Sequence, residues 1–195
     1  AGQPATDSLF CVKCGTPRYL LGHEEHVDAY IQNLCGIFDE AFRLLKEDGV
    51  CCVTLGDTRA GSGSLFGIPF RFAEEMRKRK RKWVLKDVFM LQRRANSDMD
   101  HVFVFTKTDV PMGKWKHSPL KVFHGQTVVK GFGYGAFPAN MVSRLLEIYC
   151  PKDGVVMDFF CGSGIVLRLA KDFGCSYVGI EINKEYAEIG RELLQ

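Results

Sequence analysis

Hydrophobic and polar residues alternate along this chain in a way that predicts amphipathic helices and short strands in turn. Between positions 27 and 46, apolar residues recur every three or four positions, which predicts a helix ended by Asp48 and Gly49. Further helices are predicted from 69 to 80, from 143 to 149 and after Gly164. Short apolar runs predict strands at 50–55, 83–91, 101–106, 155–159 and 177–180.

This order of elements indicates an α/β fold. Strands that alternate with helices form largely parallel sheets, and such sheets bind ligands beyond the carboxyl ends of their strands. Asp57, Phe160 and Glu181 each follow a predicted strand, so we expect them at that rim.

Composition is that of one compact domain. The chain has 195 residues, of which 46% are hydrophobic, enough for a substantial core. Its net charge of +3 comes from 26 basic and 23 acidic side chains, so attraction to a polyanion must come from local clusters. The apolar runs are too short to cross a membrane and no signal-like segment opens the chain, which favours a soluble intracellular protein without a membrane partner.

The eight cysteines do not form a disulfide scaffold in a chain of this length. Several lie inside apolar runs, and we expect them to be reduced. Cys11 and Cys14 have the spacing of half a zinc knuckle, but no second pair follows them. The sequence therefore predicts no metal site.

The run from Val155 to Phe159 opens into a turn that contains Gly162 and Gly164. Two glycines separated by one residue let the backbone turn tightly and approach a ligand closely. Glu181 ends the next apolar run, about twenty residues later, where a carboxylate accepts hydrogen bonds from ribose hydroxyls. Leu167 stands where a dinucleotide fingerprint has its third glycine, so a nucleoside without phosphates fits better than a pyrophosphate cofactor. The alternative is an ordinary strand-to-helix turn.

These segments resemble a known family. Residues 158–164 and 177–186 resemble the end of β-class DNA amino-methyltransferases, which methylate cytosine N4 or adenine N6, and 137–146 resembles the segment that precedes this loop. Residues 44–49 and 55–63 resemble the family's central segment. The resemblance implies a Rossmann-like methyltransferase fold, with a mostly parallel sheet, one antiparallel strand within 84–106 and helices on both faces. It implies a single catalytic domain over 1–195, with an irregular segment at 1–27 and a loop or small recognition insert at 107–131.

The resemblance also implies the cofactor, S-adenosyl-L-methionine, and the residues that bind it. Asp158 and Glu181 are the expected acidic contacts, Gly162 and Gly164 give backbone access, Phe160 flanks the adenosine and Phe137 packs near the methionine end. Solvated strand ends are the alternative for the two acids, and core packing is the alternative for Phe137. The family's loop usually has proline at 159 and threonine at 165, whereas this chain has Phe159 and Ile165.

The family's catalytic segment has its nearest match in Asp7-Ser8-Leu9-Phe10. Asp7 is the expected acceptor for the target amine, and Phe10 is the expected stacking face for a flipped base. Both prolines of the family pattern are missing, and Pro4 disfavours the buried strand that should come before. We therefore expect a truncated or degenerate N-terminus.

Six successive cations, Arg77 to Lys82, provide a local cluster for DNA phosphate, and Trp83 follows them. The expected DNA-binding residues are Arg77, Lys78, Arg79, Lys80, Arg81, Lys82, Arg93 and Arg94. The alternative for the run is a solvated helix end.

The sequence thus predicts a methyltransferase that acts on an amino group of cytosine or adenine in double-stranded DNA, located in the cytoplasm, nucleoid or nucleus. One alternative is a catalytically impaired relative that binds nucleic acid or a partner subunit. Another is an RNA or small-molecule methyltransferase on the same architecture. Whether the protein forms a homodimer or needs a partner subunit stays open.

Overall fold

A computed structural model describes residues 21–93, 99–109, 121–125 and 137–195. These ranges hold helices and strands that alternate, as the sequence predicts. In chain order they are α1 (Val27–Leu44), β1 (Val50–Leu55), α2 (Ile68–Lys78), β2 (Val84–Gln92), β3 (Asp100–Thr106), β4 (Val122–His124), α3 (Ala139–Tyr149), β5 (Val155–Asp158), α4 (Ile165–Asp172), β6 (Ser176–Gly179) and α5 (Lys184–Leu193).

The described strands form two sheets. The larger has the order β1-β3-β2-β4, in which β3 is antiparallel to both β1 and β2 while β4 is parallel to β2. The smaller sheet pairs β5 with β6 in parallel. The reversed strand expected within 84–106 is therefore β3. The larger sheet is mixed rather than mostly parallel, because β2 and β3 are consecutive strands, and consecutive antiparallel strands need only a short connection.

Two hydrophobic clusters lie on opposite sides of β3. Phe103 and Phe105 pack into a cluster with α1 and α2, in which Phe72 and Met76 are fully buried. Val102 and Val104 alternate with them and pack into a second cluster with residues of α3. Because successive strand residues point to opposite faces, α1 and α2 cover one face of β3 and α3 covers the other.

The largest differences from the sequence prediction are at α3 and β4. Helix α3 begins at Ala139, earlier than the predicted Ser143, because Pro138 fixes an extended backbone immediately before it and the Met141 and Val142 amides both donate to the Pro138 carbonyl. Strand β4 lies within 107–131, which was expected to be a loop or recognition insert. Three residues are too short a run for alternation to identify a strand.

No helix in the described part of the chain has both the length and the apolar content needed to cross a bilayer.

Candidate functional site

The carboxyl ends of β5 and β6 are tied together beyond the strands themselves. Asp158 pairs with Gly179 in the parallel register, and the Ile180 amide donates to the Asp158 carbonyl at 2.9 Å. The Cys161 amide in turn donates to the Ile180 carbonyl at 3.1 Å. The chain leaving β5 and the chain leaving β6 therefore stay side by side, so that Asp158 and Glu181 come to the same end of the sheet.

The turn after β5 depends on its two glycines. Gly162 has a φ of 51° and Gly164 has a φ of 83°, in the left-handed region that side chains disfavour. Gly164 lies directly before α4, and a Cβ added there would be 3.2 Å from the Gly190 Cα. Helix α5 therefore packs directly against the backbone of the turn.

Glu181 closes this arrangement. Its Oε2 accepts a hydrogen bond from the Gly162 amide at 2.8 Å, and its Oε1 accepts one from the Asn183 amide at 2.7 Å. Each carboxylate oxygen has a second lone pair left for a ligand. Asn183 is itself fixed, because its side chain caps α5 by accepting from the Glu185 and Tyr186 amides. The carboxylate is thus held in one place at the edge of the glycine turn.

Asp158 provides a second carboxylate at the same end. Burial raises its pKa, and the nearby charge of Glu181 raises it further, while a hydrogen bond from the Phe160 amide at 3.0 Å acts in the opposite direction. A partly buried acid beside another acid is the kind of arrangement that concentrates at binding sites. Phe160 leaves 52% of its surface exposed beside these acids.

These residues fit a nucleoside. The carboxylates can accept from ribose hydroxyls, the glycine turn allows close backbone approach, and the exposed Phe160 ring offers an apolar face to a base. Ser163 adds an independent sign, because it is 2% exposed and its Oγ has no hydrogen-bond partner among the described residues. A buried hydroxyl of that kind is expected to find a partner.

Phe137 contacts a different set of residues. It precedes α3 and packs against the second hydrophobic cluster, with the Arg93 guanidinium carbon 5.1 Å from the centre of its ring. The structure thus joins a residue predicted to bind cofactor with one predicted to bind DNA. No described contact joins Phe137 to Asp158, Phe160 or Glu181.

The carboxyl end of β1 carries a polar cluster of its own. The Asp57 carboxylate accepts hydrogen bonds from the amides of Thr58, Gly67 and Ile68, at 2.9, 2.9 and 3.2 Å. Asp57 thereby closes the loop after β1 and caps α2. Sequence reasoning placed Asp57 at the rim but missed this cap, since its partners lie ten and eleven residues further along.

His101 lies near Asp57 at the start of β3. Its ring stacks on Phe103 at 5.7 Å and meets the edge of Phe70 at 4.8 Å. Burial lowers the pKa of His101, while the charges of Asp100 and Asp57 act in the opposite direction. Burial therefore favours the neutral imidazole.

The basic run lies at the opposite end of the larger sheet. Val84, just after the run, is level with Val50 at the amino end of β1, whereas Arg93 follows the other end of β2. Arg79 pairs with Asp39 of α1 at 2.5 Å, and Arg81 donates to the Asp39 carbonyl at 2.5 Å. Arg77, Lys80 and Lys82 are exposed, and Lys78 is exposed in an ion pair with Glu74.

Several predicted residues fall outside the described part of the chain, namely Asp7, Phe10, Cys11, Cys14 and Arg94. Among the described residues, no group of histidine, cysteine and acidic side chains is arranged to hold a metal ion.

The fold and the site together define the class of protein. It is an α/β protein in which a glycine turn suited to a nucleoside lies between two parallel strands. The chain belongs to the DNA methylase family, whose N6/N4 methyltransferase model matches residues 15–192.

Individual relatives agree with this family. The chain is 31% identical to the Type II methyltransferase M.MwoI of Methanothermobacter wolfeii over 188 residues, which cover 89% of this chain and 28% of that protein. It is 21% identical to M.SmaI of Serratia marcescens over 224 residues, covering 88% of this chain and 76% of the relative. The chain thus spans little more than a quarter of M.MwoI.

Solved structures share the fold. The PvuII DNA methyltransferase (cytosine-N4-specific) matches with a TM-score of 0.79 at 17% identity, over 92% of this chain and 77% of that one. TTHA0409 of Thermus thermophilus, a putative DNA modification methylase solved with S-adenosyl-L-methionine, matches with a TM-score of 0.71 at 20% identity, over 91% of this chain and 82% of that one.

Proposed function

We propose that this chain is a single catalytic domain that transfers a methyl group from S-adenosyl-L-methionine to an exocyclic amino group of cytosine or adenine in double-stranded DNA. Membership of the DNA methylase family supports the reaction class. The observation that carries the cofactor assignment is the Glu181 carboxylate, held 2.8 Å from the Gly162 amide at the edge of the glycine turn. Helices on both faces of one continuous, mixed sheet would complete this domain.

The residues of the small sheet have separate roles in this proposal. Glu181 accepts from the ribose hydroxyls with its remaining lone pairs, and Phe160 covers the adenine. The backbone at Gly162 and Gly164 lies close to the cofactor because no Cβ intervenes. Asp158 adds negative charge that suits a cationic sulfonium cofactor. Phe137 packs near the methionine end.

When bound, the cofactor supplies an electrophilic methyl group. Asp7 accepts a hydrogen bond from the target amine and so orients its lone pair, while Phe10 stacks on the extruded base. The exposed cations Arg77, Lys80 and Lys82 contribute attraction to phosphate. Localisation with DNA inside the cell follows from this substrate.

The test is transfer of labelled methyl groups to mixed-sequence duplex DNA, with nucleoside analysis of the product and RNA as a competing substrate. Glu181→Gln removes one carboxylate acceptor, so we expect the cofactor Kd to rise about tenfold or more. Glu188→Gln is the matched control, because Glu188 is an exposed glutamate within α5.

Asp7→Ala separates binding from chemistry. If the proposal holds, this variant binds cofactor like the wild type but transfers no methyl group. Cofactor binding by the wild type without transfer to any nucleic acid would instead identify a catalytically impaired relative. Transfer to RNA alone would reject DNA as the substrate.

A further inference from the structure

Four residues from separate segments meet at the end of the larger sheet where β1 and β2 finish and β3 begins. The Arg93 Nε donates to the Asp100 Oδ2 at 2.6 Å, and the same guanidinium lies over the ring of Phe137 at 5.1 Å. On the other side of Asp100, the Oδ1 lies 2.6 Å from the position that a Cβ on Gly56 would take. The order of contacts is therefore Gly56, Asp100, Arg93 and Phe137.

The Asp100–Arg93 pair is sheltered enough to fix the guanidinium. The Asp100 side chain is 18% exposed and that of Arg93 is 34% exposed, much less than in the Arg43–Glu40 and Lys78–Glu74 pairs. A planar guanidinium held by a carboxylate can stack on an aromatic face, whereas an ammonium group on a flexible chain cannot do so in the same way. Arg93 thus restricts where the Phe137 ring lies.

Gly56 makes this pair possible. Any side chain at position 56 would place its Cβ against the Asp100 carboxylate, closer than real Cβ atoms come to another group. Alanine at 56 would require the Asp100 carboxylate to move. We expect that movement to disturb Arg93 and, through it, Phe137 at the start of α3.

We propose that Arg93 is a positioning residue for the cofactor site rather than a DNA contact. Oriented by Asp100 in the space that Gly56 leaves, it holds Phe137 against the methionine end of the cofactor. This inference rests on the proposed function, since it needs Phe137 to line the site.

The test measures cofactor binding in the absence of DNA, by calorimetry with S-adenosyl-L-methionine. Arg93→Gln removes the charge, and Arg93→Lys keeps the charge but loses the planar guanidinium over the Phe137 ring. We expect both to raise the Kd by roughly five- to tenfold. Gly56→Ala should act in the same direction. Lys107→Gln is the matched control, because Lys107 also pairs with an acid, Glu47, and lies 5.1 Å from the ring of Phe42, but at the other end of β3.

A double-mutant cycle distinguishes positioning from a general effect on folding. In a Phe137→Leu background, Arg93→Lys should change the Kd no further, because the ring it orients is gone. An equal loss in both backgrounds would overturn the proposal. So would a wild-type cofactor Kd in Arg93→Gln together with a weaker DNA affinity and a shallower salt dependence, which would make Arg93 a phosphate contact. If the wild-type chain binds no cofactor at all, the proposed function itself fails.

Discussion

Asp158 is a partly buried carboxylate whose ionisation opposes folding. Its pKa is raised by burial and by the charge of Glu181, so the folded protein holds the proton more tightly than the unfolded chain. The stability contributed by this proton is present below the unfolded pKa and is lost as the pH rises through the folded pKa. At neutral pH, the ionised Asp158 therefore lowers the free energy of unfolding.

We predict that Asp158→Asn stabilises the protein at pH 7, because the amide carries no charge while its oxygen still accepts from the Phe160 amide. The expected gain in the free energy of unfolding is on the order of 1 kcal/mol, a size common for substitutions that trade function for stability. Urea denaturation at pH 7 and near pH 4 would measure it, and the gain should shrink at the lower pH.

Asp153→Asn is the control for this prediction, since Asp153 is exposed on the loop before β5. Asp153→Asn should show no pH-dependent gain in the free energy of unfolding. A lower free energy of unfolding for Asp158→Asn at pH 7 would contradict the prediction. It would mean that the hydrogen bonds of the carboxylate stabilise the fold more than its desolvation destabilises it. Weaker cofactor binding by the same variant would agree with the proposed role of Asp158.

At the scale of the element, α2 depends on a side chain that comes from outside the helix. Gly67, the residue before α2, has no side chain that could cap the helix. The Asp57 carboxylate accepts hydrogen bonds from the Gly67 and Ile68 amides instead. We predict that Asp57→Ala lowers the free energy of unfolding by about 1–2 kcal/mol, the usual range for loss of a helix cap. Asp57→Asn keeps one acceptor oxygen, so its free energy of unfolding should lie between those of the wild type and Asp57→Ala. Equal stability of all three proteins would contradict the cap.

A second element-scale prediction concerns the end of α3 and the start of β6. Cys150 follows α3 and Cys175 precedes β6, and their sulfur atoms lie 3.1 Å apart. We predict that hydrogen peroxide joins them in a disulfide, with the two thiol hydrogens and the peroxide leaving as water. Burial raises the pKa of Cys150 to about 12, so the reactive thiolate is scarce at neutral pH. The rate should therefore rise as the pH is raised from 7 to 9.

Mass spectrometry of peptides from the folded, oxidised protein would identify this cross-link. Cys35 serves as the internal control, since it is fully buried in the first hydrophobic cluster and has no described cysteine beside it. Oxidation of Cys150 to single-residue products, without a cross-link to Cys175, would contradict the prediction.

Elements bounded by turn or capping residues were the most predictable from the sequence. Strand β1 matches its prediction residue for residue, because Gly49 and Gly56 bound a short apolar run. Helix α5 was not predicted, although Asn183 before it is a residue type that caps helices through its side-chain oxygen. Strand β4 was missed because its stability comes from pairing with β2, about thirty residues earlier, and tertiary pairing leaves no local pattern.

At the scale of the whole molecule, the site was predictable only where it is local in sequence. Gly162, Gly164 and Glu181 lie within one strand-turn-helix-strand unit, and the structure brings them together. The Arg79–Asp39 pair spans forty positions, so nothing in the basic run itself shows that one of its cations is engaged with α1. The Arg93–Phe137 contact is likewise set by how β2 and α3 pack. The roles of Asp7 and Phe10, which lie outside the described residues, stay predictions.

The basic run gives a whole-molecule prediction about DNA. Replacing the exposed Arg77, Lys80 and Lys82 with glutamine should weaken binding to duplex DNA of any sequence. It should also flatten the dependence of log K on log salt by about 0.9 for each phosphate that the variant no longer neutralises. Titrations at several salt concentrations would measure this slope, with the exposed Lys152→Gln as control. An unchanged slope would mean that the run is only a solvated helix end.

The distance between that basic run and the far end of β2 corresponds to a length of DNA. The nine residues of β2 separate it from the end of the sheet that carries Arg93, and an extended strand of that length spans roughly 30 Å. Along a duplex, the same distance is about nine base pairs. Oligonucleotides shorter than this would reach one end of the sheet but not both. The footprint of the protein should therefore extend well past the base that is modified, and short substrates should lose affinity abruptly rather than gradually.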